Sequence, residues 1–282
     1  MLSGTGLGTG TLETMAVVLV GGYLTAGGAN AINMWYDRDI DPMMKRTAQR
    51  PIPSGEISPN SALLFGVIIS ILGTFWLVMM ANEVAAFWAA FSVIFYVLVY
   101  SIWLKRSTPQ NIVIGGIAGS TPPLVGWAAA ESDLQISVDS AVLFFESVTD
   151  MGGLMPWFMF VLIFLWTPPH FWALAIRYKD DYSNAEVPML PVIEGTKVTG
   201  YRMVLYAFQV WAASLIFVPV ADMGVVYLIT AIAMGAMFTL FSFQVMINPT
   251  KKSAMRLFGF SISYITILFS LMAVDQLVRS GF

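Results

Sequence analysis

The chain has 282 residues, of which 57% are hydrophobic and only 11% are charged, with 14 basic and 17 acidic side chains. About a quarter of the residues in a soluble domain are charged, so this composition excludes soluble enzymes and disordered chains. The sequence contains no cysteine, which excludes disulfide scaffolds, thiol chemistry and cysteine-ligated metal clusters. The composition therefore predicts a helical membrane protein.

Apolar stretches long enough to cross a membrane recur along the whole chain. A helix of about 20 apolar residues crosses the ~30 Å hydrocarbon core, and continuous rather than alternating hydrophobicity favours helices over barrel strands. Eight spans are predicted, at residues 12–36, 60–81, 84–104, 111–130, 155–177, 200–221, 223–247 and 254–278. The predicted fold class is all-α, a polytopic membrane helical bundle in which residues 1–282 form a single domain.

The charges of the loops predict the orientation of the chain. With eight alternating crossings, all of the 14 basic residues except Arg279 fall on the same side. The positive-inside rule makes that side cytoplasmic, and the acidic segment 131–154 then faces the opposite side. This topology predicts a multi-pass protein of the bacterial cytoplasmic (inner) membrane, with its N-terminus outside.

The first distinctive motif follows the first span. Asn33, Asp37 and Asp41 are spaced i, i+4 and i+8, so a continuing helix places them on one face. Two carboxylates about 6 Å apart repel by ~3 kcal/mol at an effective dielectric constant near 20, and the motif is expected to need a compensating cation. Oxygen ligands suit Mg²⁺, which also binds substrate phosphates.

A lone motif of this kind is more often a solvated acidic loop, but basic and stiffening residues follow this one. They are Lys45, Arg46, Arg50, Pro51, Pro53 and Gly55. Carboxylates beside a basic, rigid loop favour a site for a metal-bound polyphosphate.

Two further charged stretches are predicted on the same membrane side. Asp180 and Asp181 follow the fifth span, and two acidic clusters at one membrane face are what a metal–diphosphate clamp requires. Alone, this pair would more often be a loop neutralised by its basic neighbours Arg177 and Lys179. Lys105 ends the third span, where a cation usually anchors a helix to anionic lipid. Its location on the acidic side suggests a role in holding diphosphate.

His170 is the only histidine, and it follows Pro168 and Pro169 inside the fifth span. Two prolines are expected to kink or interrupt the helix, and Pro122 and Pro123 predict a similar break in the fourth span. Two broken helices suggest an internal cavity. An ionisable residue within a membrane is a functional candidate by default, and the alternative is a hydrogen-bonded structural histidine.

With these motifs, the chain resembles the UbiA superfamily of intramembrane prenyltransferases. The superfamily signature is matched by Asn33, Asp37, Asp41, Lys45, Arg46, Thr47, Arg50, Pro51, Pro53 and Gly55. A narrower resemblance, to the heme O synthase family, rests on segments 27–30, 104–116, 167–175, 178–182 and 187–191. The last third of the chain adds little to the resemblance.

The resemblance implies transfer of a farnesyl group from farnesyl diphosphate to a vinyl group of heme b, with addition of water, which gives the heme A precursor heme O. It implies Mg²⁺ bound with the diphosphate substrate, and heme b as the second substrate. The implied metal ligands are Asn33, Asp37, Asp41, Asp180 and Asp181, and the implied catalytic residues are those four aspartates with Lys105. The implied substrate-binding residues are Arg38, Lys45, Arg46, Arg50, His170, Arg177 and Tyr178. The expected partners are the lipid bilayer and heme A synthase, with no nucleic acid.

Two departures from the family pattern stand out. Many members carry a second DxxxD motif, whereas Tyr178 and Tyr182 frame Asp180 and Asp181 here, which leaves open which carboxylate binds metal. The family has nine helices and a cytoplasmic N-terminus, so the first helix is expected to be missing from this chain.

Two alternative functions remain at this stage. A UbiA-type enzyme that prenylates a quinone precursor or another lipid aromatic would share the first motif. A divalent-cation transporter is disfavoured because no span core carries a carboxylate to form a path across the bilayer.

Overall fold

The computed structural model of the chain describes residues 9–131 and 134–279, so Asp133 of the acidic segment lies outside the described residues. Within these ranges the regular elements are helices, and no strand occurs. The α-helices are α1 Thr9–Tyr36, α2 Pro59–Met80, α3 Glu83–Ile94, α4 Asn111–Ser120, α5 Pro122–Ala130, α6 Ala141–Thr149, α7 Met155–Arg177, α8 Lys179–Asn184, α9 Leu190–Ile193, α10 Gly195–Val220, α11 Val225–Ile247 and α12 Lys251–Arg279. A 3₁₀ turn, Asp41–Met43, follows α1, and a π-helix, Phe95–Leu104, continues α3.

Eight segments of the described chain are long and apolar enough to cross a membrane. They are Gly10–Tyr36, Pro59–Met80, Glu83–Leu104, Asn111–Ala130, Met155–Arg177, Gly195–Val220, Val225–Ile247 and Lys251–Arg279. The predicted all-α membrane fold and its eight spans are therefore confirmed. The largest difference is at the sixth span, whose helix begins at Gly195 and not at residue 200. Its first turn includes the polar residues Thr196 and Lys197, which a prediction based on apolar stretches leaves out.

Residues 9–106, 117–131 and 134–160 form one compact unit. Its apolar core is built around fully buried side chains such as Leu77, Val84 and Leu124. Helices α1 and α2 approach so closely that a Cβ atom at Gly28 would lie 2.6 Å from the carbonyl oxygen of Gly66. Small residues at such crossings let membrane helices pack through their backbones, and this packing holds the C-terminal end of α1 in place.

The π-helix at the end of the third span is an unusual element. Its hydrogen bonds run from residue i to residue i−5, as in the 2.8 Å bond from the Lys105 amide to the Tyr100 carbonyl. π-Helical turns are rare and are frequent at functional sites. Here the wider turn ends immediately before Lys105, so it sets the direction in which that side chain leaves the helix.

Residues 107–116 and 161–279 form the second compact unit. Helices α10, α11 and α12 make up most of it. Phe238 of α11 stacks on Tyr264 of α12 with ring centroids 5.2 Å apart. The buried carboxylate of Asp275 accepts a 3.1 Å hydrogen bond from the Tyr227 amide, in the first turn of α11. A carboxylate there satisfies amide groups that have no partner within the helix.

The proline pairs have different effects in the two spans that contain them. Helix α7 runs without interruption through Pro168 and Pro169, so the interruption expected in the fifth span is wrong, while a kink there stays a prediction. The two prolines leave two backbone carbonyls without amide partners. A complete break of the helix in hydrocarbon would leave more unpaired backbone groups, so continuing the helix costs less free energy. The fourth span does break as predicted, because α4 ends at Ser120 and α5 begins at Pro122.

Candidate functional site

The predicted acidic motif lies at the C-terminal end of α1 and is buried. The exposed fractions of Asn33, Asp37 and Asp41 are 3%, 0% and 0%. Although α1 ends at Tyr36, the Asp37 amide bonds the Asn33 carbonyl at 2.9 Å and the Asp41 amide bonds the Asp37 carbonyl at 2.8 Å. These bonds continue the helical i to i−4 pattern, so the three side chains keep the spacing that the sequence predicts.

Asp37 is held by three neighbours. The Lys105 ammonium group donates to its Oδ2 atom, and the Asn33 amide nitrogen donates to the same atom at 2.9 Å. The guanidinium of Arg106 lies 3.4 Å from Oδ1. Lys105 is itself buried, and burial lowers its pKa while the Asp37 carboxylate opposes that shift. This is a buried ion pair between the end of α1 and the end of the π-helix.

Asp41 has a different environment. Its Oδ2 atom accepts a 2.8 Å hydrogen bond from Arg50, and its backbone carbonyl accepts one from the Thr47 hydroxyl at 2.9 Å. Its Oδ1 atom is buried and has no hydrogen-bond partner among the described residues. Burial raises the pKa of Asp41, and the neighbouring Arg50 opposes the shift. An unsatisfied buried carboxylate oxygen is costly, and it is a ready ligand for a metal ion.

A second ion pair lies on the exposed side of this motif. Arg106 donates to both carboxylate oxygens of Asp39, at 2.6 and 2.7 Å, and its guanidinium lies 4.9 Å from the centroid of the Tyr36 ring. The pair lowers the pKa of Asp39 and raises that of Arg106. Arg106 was not predicted as a site residue, although its position next to Lys105 was a signal for it.

The predicted need for a compensating cation is met by the chain itself. The carboxylates of Asp37, Asp39 and Asp41 are paired with Lys105, Arg106 and Arg50. In the described part of the chain, no group of three or more His, Asp or Glu side chains is arranged to hold a metal ion. The two buried carboxylates and the Asn33 amide fit Mg²⁺ nonetheless, because that ion usually takes one or two carboxylates and completes its coordination with substrate phosphates.

The other predicted residues of this region are exposed. Arg38 donates to the Trp35 carbonyl at 2.7 Å and lies over the Trp35 ring, so it caps the end of α1, as basic residues often do. Lys45 and Arg46 are exposed in the loop that joins α1 to α2. The structure thus brings Arg50 and Lys105 to the acidic motif, while Arg38 contacts its own helix.

The second acidic cluster lies in α8, in the second unit. Asp180 is exposed and lies 3.4 Å from the ammonium group of Lys251, a surface pair that contributes little to stability. Asp181 is half-buried. The Arg177 guanidinium lies 5.5 Å from the centroid of the Tyr178 ring. Asp180 is therefore partly neutralised by α12, in addition to the basic neighbours that the sequence showed.

His170 is buried in the second unit, between aromatic rings. It stacks on Trp166 and Phe258, with centroids 4.3 and 4.5 Å away, and its Nδ1 atom lies 2.6 Å from the Ser261 hydroxyl. That hydroxyl also lies 2.6 Å from the Phe258 carbonyl oxygen. With the Ser261 proton donated to the Phe258 carbonyl, the neutral imidazole carries its proton on Nδ1 and its lone pair on Nε2; with that proton donated to Nδ1, the reverse tautomer is present. The structural hydrogen bond considered from the sequence is present, and Nε2 is the atom that remains for a ligand.

Comparison with known families and proteins gives a consistent result. The sequence profile of the UbiA prenyltransferase family matches residues 2–266. The protoheme IX farnesyltransferase of Clavibacter michiganensis is 43% identical over 266 residues, which cover 93% of this chain and 80% of that protein. The protoheme IX farnesyltransferase of Frankia casuarinae is 44% identical over 274 residues, which cover 96% and 89%.

Solved structures of more distant proteins have a similar fold. A digeranylgeranylglyceryl phosphate synthase matches with a TM-score of 0.71 at 19% identity, covering 94% of this chain and 86% of that one. A UbiA homologue from Archaeoglobus fulgidus, solved with DMAPP and Mg²⁺, matches with a TM-score of 0.57 at 14% identity, covering 93% and 88%. These matches support the UbiA-type fold that the sequence predicts.

Proposed function

The chain belongs to the UbiA prenyltransferase family, and we propose that it transfers a farnesyl group from farnesyl diphosphate to a vinyl group of heme b. Water captures the resulting cation, which gives heme O. The observation that carries this proposal is the 43% identity, over 93% of the chain, with a protein named protoheme IX farnesyltransferase. The buried acidic motif supports it, because diphosphate chemistry needs a divalent cation and nearby basic residues.

We assign the binding of the Mg²⁺–diphosphate group to the end of α1. Asn33, Asp37 and Asp41 would hold the metal ion, which when bound supplies a Lewis acid to the leaving diphosphate. On the sequence pattern, Asp180 and Asp181 are proposed as further metal ligands. The support for the first set is the unpartnered Oδ1 atom of Asp41.

Basic residues stabilise the charge that develops on the leaving group. Lys105, Arg106 and Arg50 neutralise the carboxylates of the motif. When those carboxylates bind a metal ion instead, the three basic side chains can donate hydrogen bonds to phosphate oxygens. Lys45 and Arg46, in the exposed loop, are proposed to add positive charge for recognition of the diphosphate. Arg38 is retained as a weaker candidate because its guanidinium is engaged by Trp35.

Aromatic side chains protect the allylic cation that ionisation produces. Tyr96 and Tyr100 stack in the π-helix with centroids 5.3 Å apart, and they precede Lys105 in the same segment. Aromatic faces attract cations, and a dry pocket prevents premature capture by water. For heme, we propose that His170 contacts the macrocycle or its iron, and that Arg177 and Tyr178 bind a propionate.

A transfer assay tests the proposed substrate. The purified protein, given farnesyl diphosphate and Mg²⁺, is expected to convert heme b to a product that carries one farnesyl group and one water molecule, identified by mass spectrometry. A quinone precursor offered in place of heme is expected to remain unmodified. Prenylation of the quinone precursor with heme b left unchanged would contradict the proposal and favour a different UbiA-type activity.

The protein is a multi-pass membrane protein, and we propose that it lies in the bacterial inner membrane with its site on the cytoplasmic face. Reporter fusions after Gly55, Arg106, Glu194 and Lys252 are expected to report the cytoplasm, and a fusion near Asp139 the opposite side, because basic loops stay inside. If the fusions after Arg106 and Glu194 report opposite sides, Asp180 and Asp181 cannot serve the same diphosphate as Asp37. Heme A synthase is proposed as the protein that receives the product.

A further inference from the structure

Ser101 is a buried polar residue in the π-helix, and neither the sequence motifs nor the proposed mechanism uses it. Its exposed fraction is 0%. Its hydroxyl oxygen lies 3.0 Å from the amide nitrogen of Asn33 and 2.9 Å from the carbonyl oxygen of Tyr96. The hydroxyl therefore joins the end of the third span to the first residue of the acidic motif.

The direction of each hydrogen bond follows from the chemistry of the groups. The Tyr96 carbonyl can only accept, so the single hydroxyl proton of Ser101 is donated to it, and the Ser101 oxygen must accept from Asn33. An ionised Asp37 carboxylate also only accepts, and it lies 2.9 Å from the same Asn33 nitrogen. Both neighbours thus require an NH₂ group, so the orientation of the Asn33 amide is determined by its partners.

The Asn33 carbonyl oxygen, Oδ1, is therefore the acceptor that the side chain offers to another group. A rotation of the amide by 180° would place Oδ1 against the Asp37 carboxylate and the Ser101 lone pairs, which is repulsive. Because Mg²⁺ binds oxygen and not an amide NH₂ group, only the observed orientation makes Asn33 a metal ligand.

The π-helical geometry makes this arrangement possible. The hydroxyl of a helical serine commonly bonds the carbonyl three or four residues earlier, whereas Ser101 bonds the carbonyl five residues earlier. The same widened turn carries the amide of Lys105 to the Tyr100 carbonyl. One local distortion therefore sets both Ser101 and Lys105, which contact Asn33 and Asp37 respectively.

We propose that Ser101 is a positioning residue that fixes the amide of Asn33, so that its carbonyl oxygen and not its nitrogen is offered to the divalent cation. The inference rests on the proposed function of the acidic motif as a metal–diphosphate site, and it deepens that function. Groups that orient metal ligands typically change metal affinity by about 10–100-fold when they are removed.

The test measures binding rather than turnover. The melting temperature of the purified full chain is followed with a non-hydrolysable farnesyl diphosphate analogue while Mg²⁺ is titrated. Ser101→Ala is expected to raise the Mg²⁺ concentration at half-maximal stabilisation by about tenfold or more. Ser101→Thr retains the hydroxyl, and it is expected to restore the wild-type Mg²⁺ dependence.

Ser92 provides a matched control in the same span. Its hydroxyl donates to the Ala118 carbonyl at 2.8 Å, so Ser92→Ala removes one helix-to-carbonyl hydrogen bond away from the acidic motif and should leave the Mg²⁺ dependence unchanged. An unchanged Mg²⁺ dependence in Ser101→Ala, whatever its melting temperature without ligand, would overturn the proposal. If Ser101→Thr shows the same shift in Mg²⁺ dependence as Ser101→Ala, that result would also count against a role for the hydroxyl.

Asp37→Asn distinguishes failure of this inference from failure of the proposed function. If Asp37→Asn abolishes the Mg²⁺-dependent stabilisation and Ser101→Ala does not alter it, only the role of Ser101 is rejected. If neither variant alters it, the metal site at the end of α1 is rejected, and the role of Ser101 is rejected with it.

Discussion

Replacement of Asp41 by asparagine is expected to reduce farnesyl transfer by about 100-fold or more, while the protein remains folded and inserted in the membrane. The Oδ1 atom of Asp41 is the buried carboxylate oxygen without a partner among the described residues, and we propose it as a metal ligand. An asparagine keeps the shape of the side chain and an acceptor for Arg50, but it lacks the negative charge that Mg²⁺ needs.

Asp41 is a cleaner test than Asp37 because the two residues have different partners. The side chain of Arg50 is 32% exposed, so water can solvate its charge when Asp41 is neutralised. The side chain of Lys105 is 10% exposed, and Asp37→Asn leaves that cation buried without its carboxylate. Breaking a buried pair from one side costs roughly 3–5 kcal/mol, so Asp37→Asn is expected to lower stability as well as activity.

The measurement is the rate of product formation at saturating Mg²⁺, together with the melting temperature of each variant. Asp39→Asn is the matched control, because it removes the same charge from the same loop at an exposed position that pairs with Arg106. It should retain most of the activity. Chelation with EDTA is expected to stop the wild-type reaction and added Mg²⁺ to restore it, so full activity in EDTA would reject the metal site.

The sequence predicts this site only in part, and the reason is the distance along the chain between its components. Asn33, Asp37 and Asp41 were predicted because four-residue spacing reports a helical face directly. The pairing of Asp37 with Lys105 joins residues 68 positions apart, which no local pattern records. The sequence predicts that Lys105 lies on the same membrane side as the acidic motif, and its ion pair with Asp37 is seen only in the structure.

The backbone explains two further differences. A π-helix leaves no mark in a span that is apolar on all sides, so the sequence predicts an ordinary helix over residues 84–104. Pro168 and Pro169 predicted a break because the prolines remove two backbone donors, yet α7 continues. Local propensity is overridden where the solvent is hydrocarbon.

Replacement of His170 by alanine is expected to abolish the heme-dependent reaction while leaving the binding of a farnesyl diphosphate analogue with Mg²⁺ unchanged. The imidazole is fixed by Ser261 through Nδ1 and by stacking between Trp166 and Phe258. This arrangement holds the ring with its Nε2 atom in a constant direction, which is how a histidine that binds iron is commonly oriented.

Ser261→Ala separates positioning from structure in this assay. It retains the imidazole and the ring stacking but removes the hydroxyl that forms a hydrogen bond with Nδ1, so heme affinity should fall by about tenfold, with a smaller effect than His170→Ala. Heme titration is followed by the absorption spectrum, and analogue binding by the Mg²⁺-dependent melting temperature. If His170 only joins α7 to α12, both variants should lower the melting temperature and leave the heme titration as in the wild type. That result would reject a heme role for His170, whereas a selective loss of heme binding graded from Ser261→Ala to His170→Ala would support it.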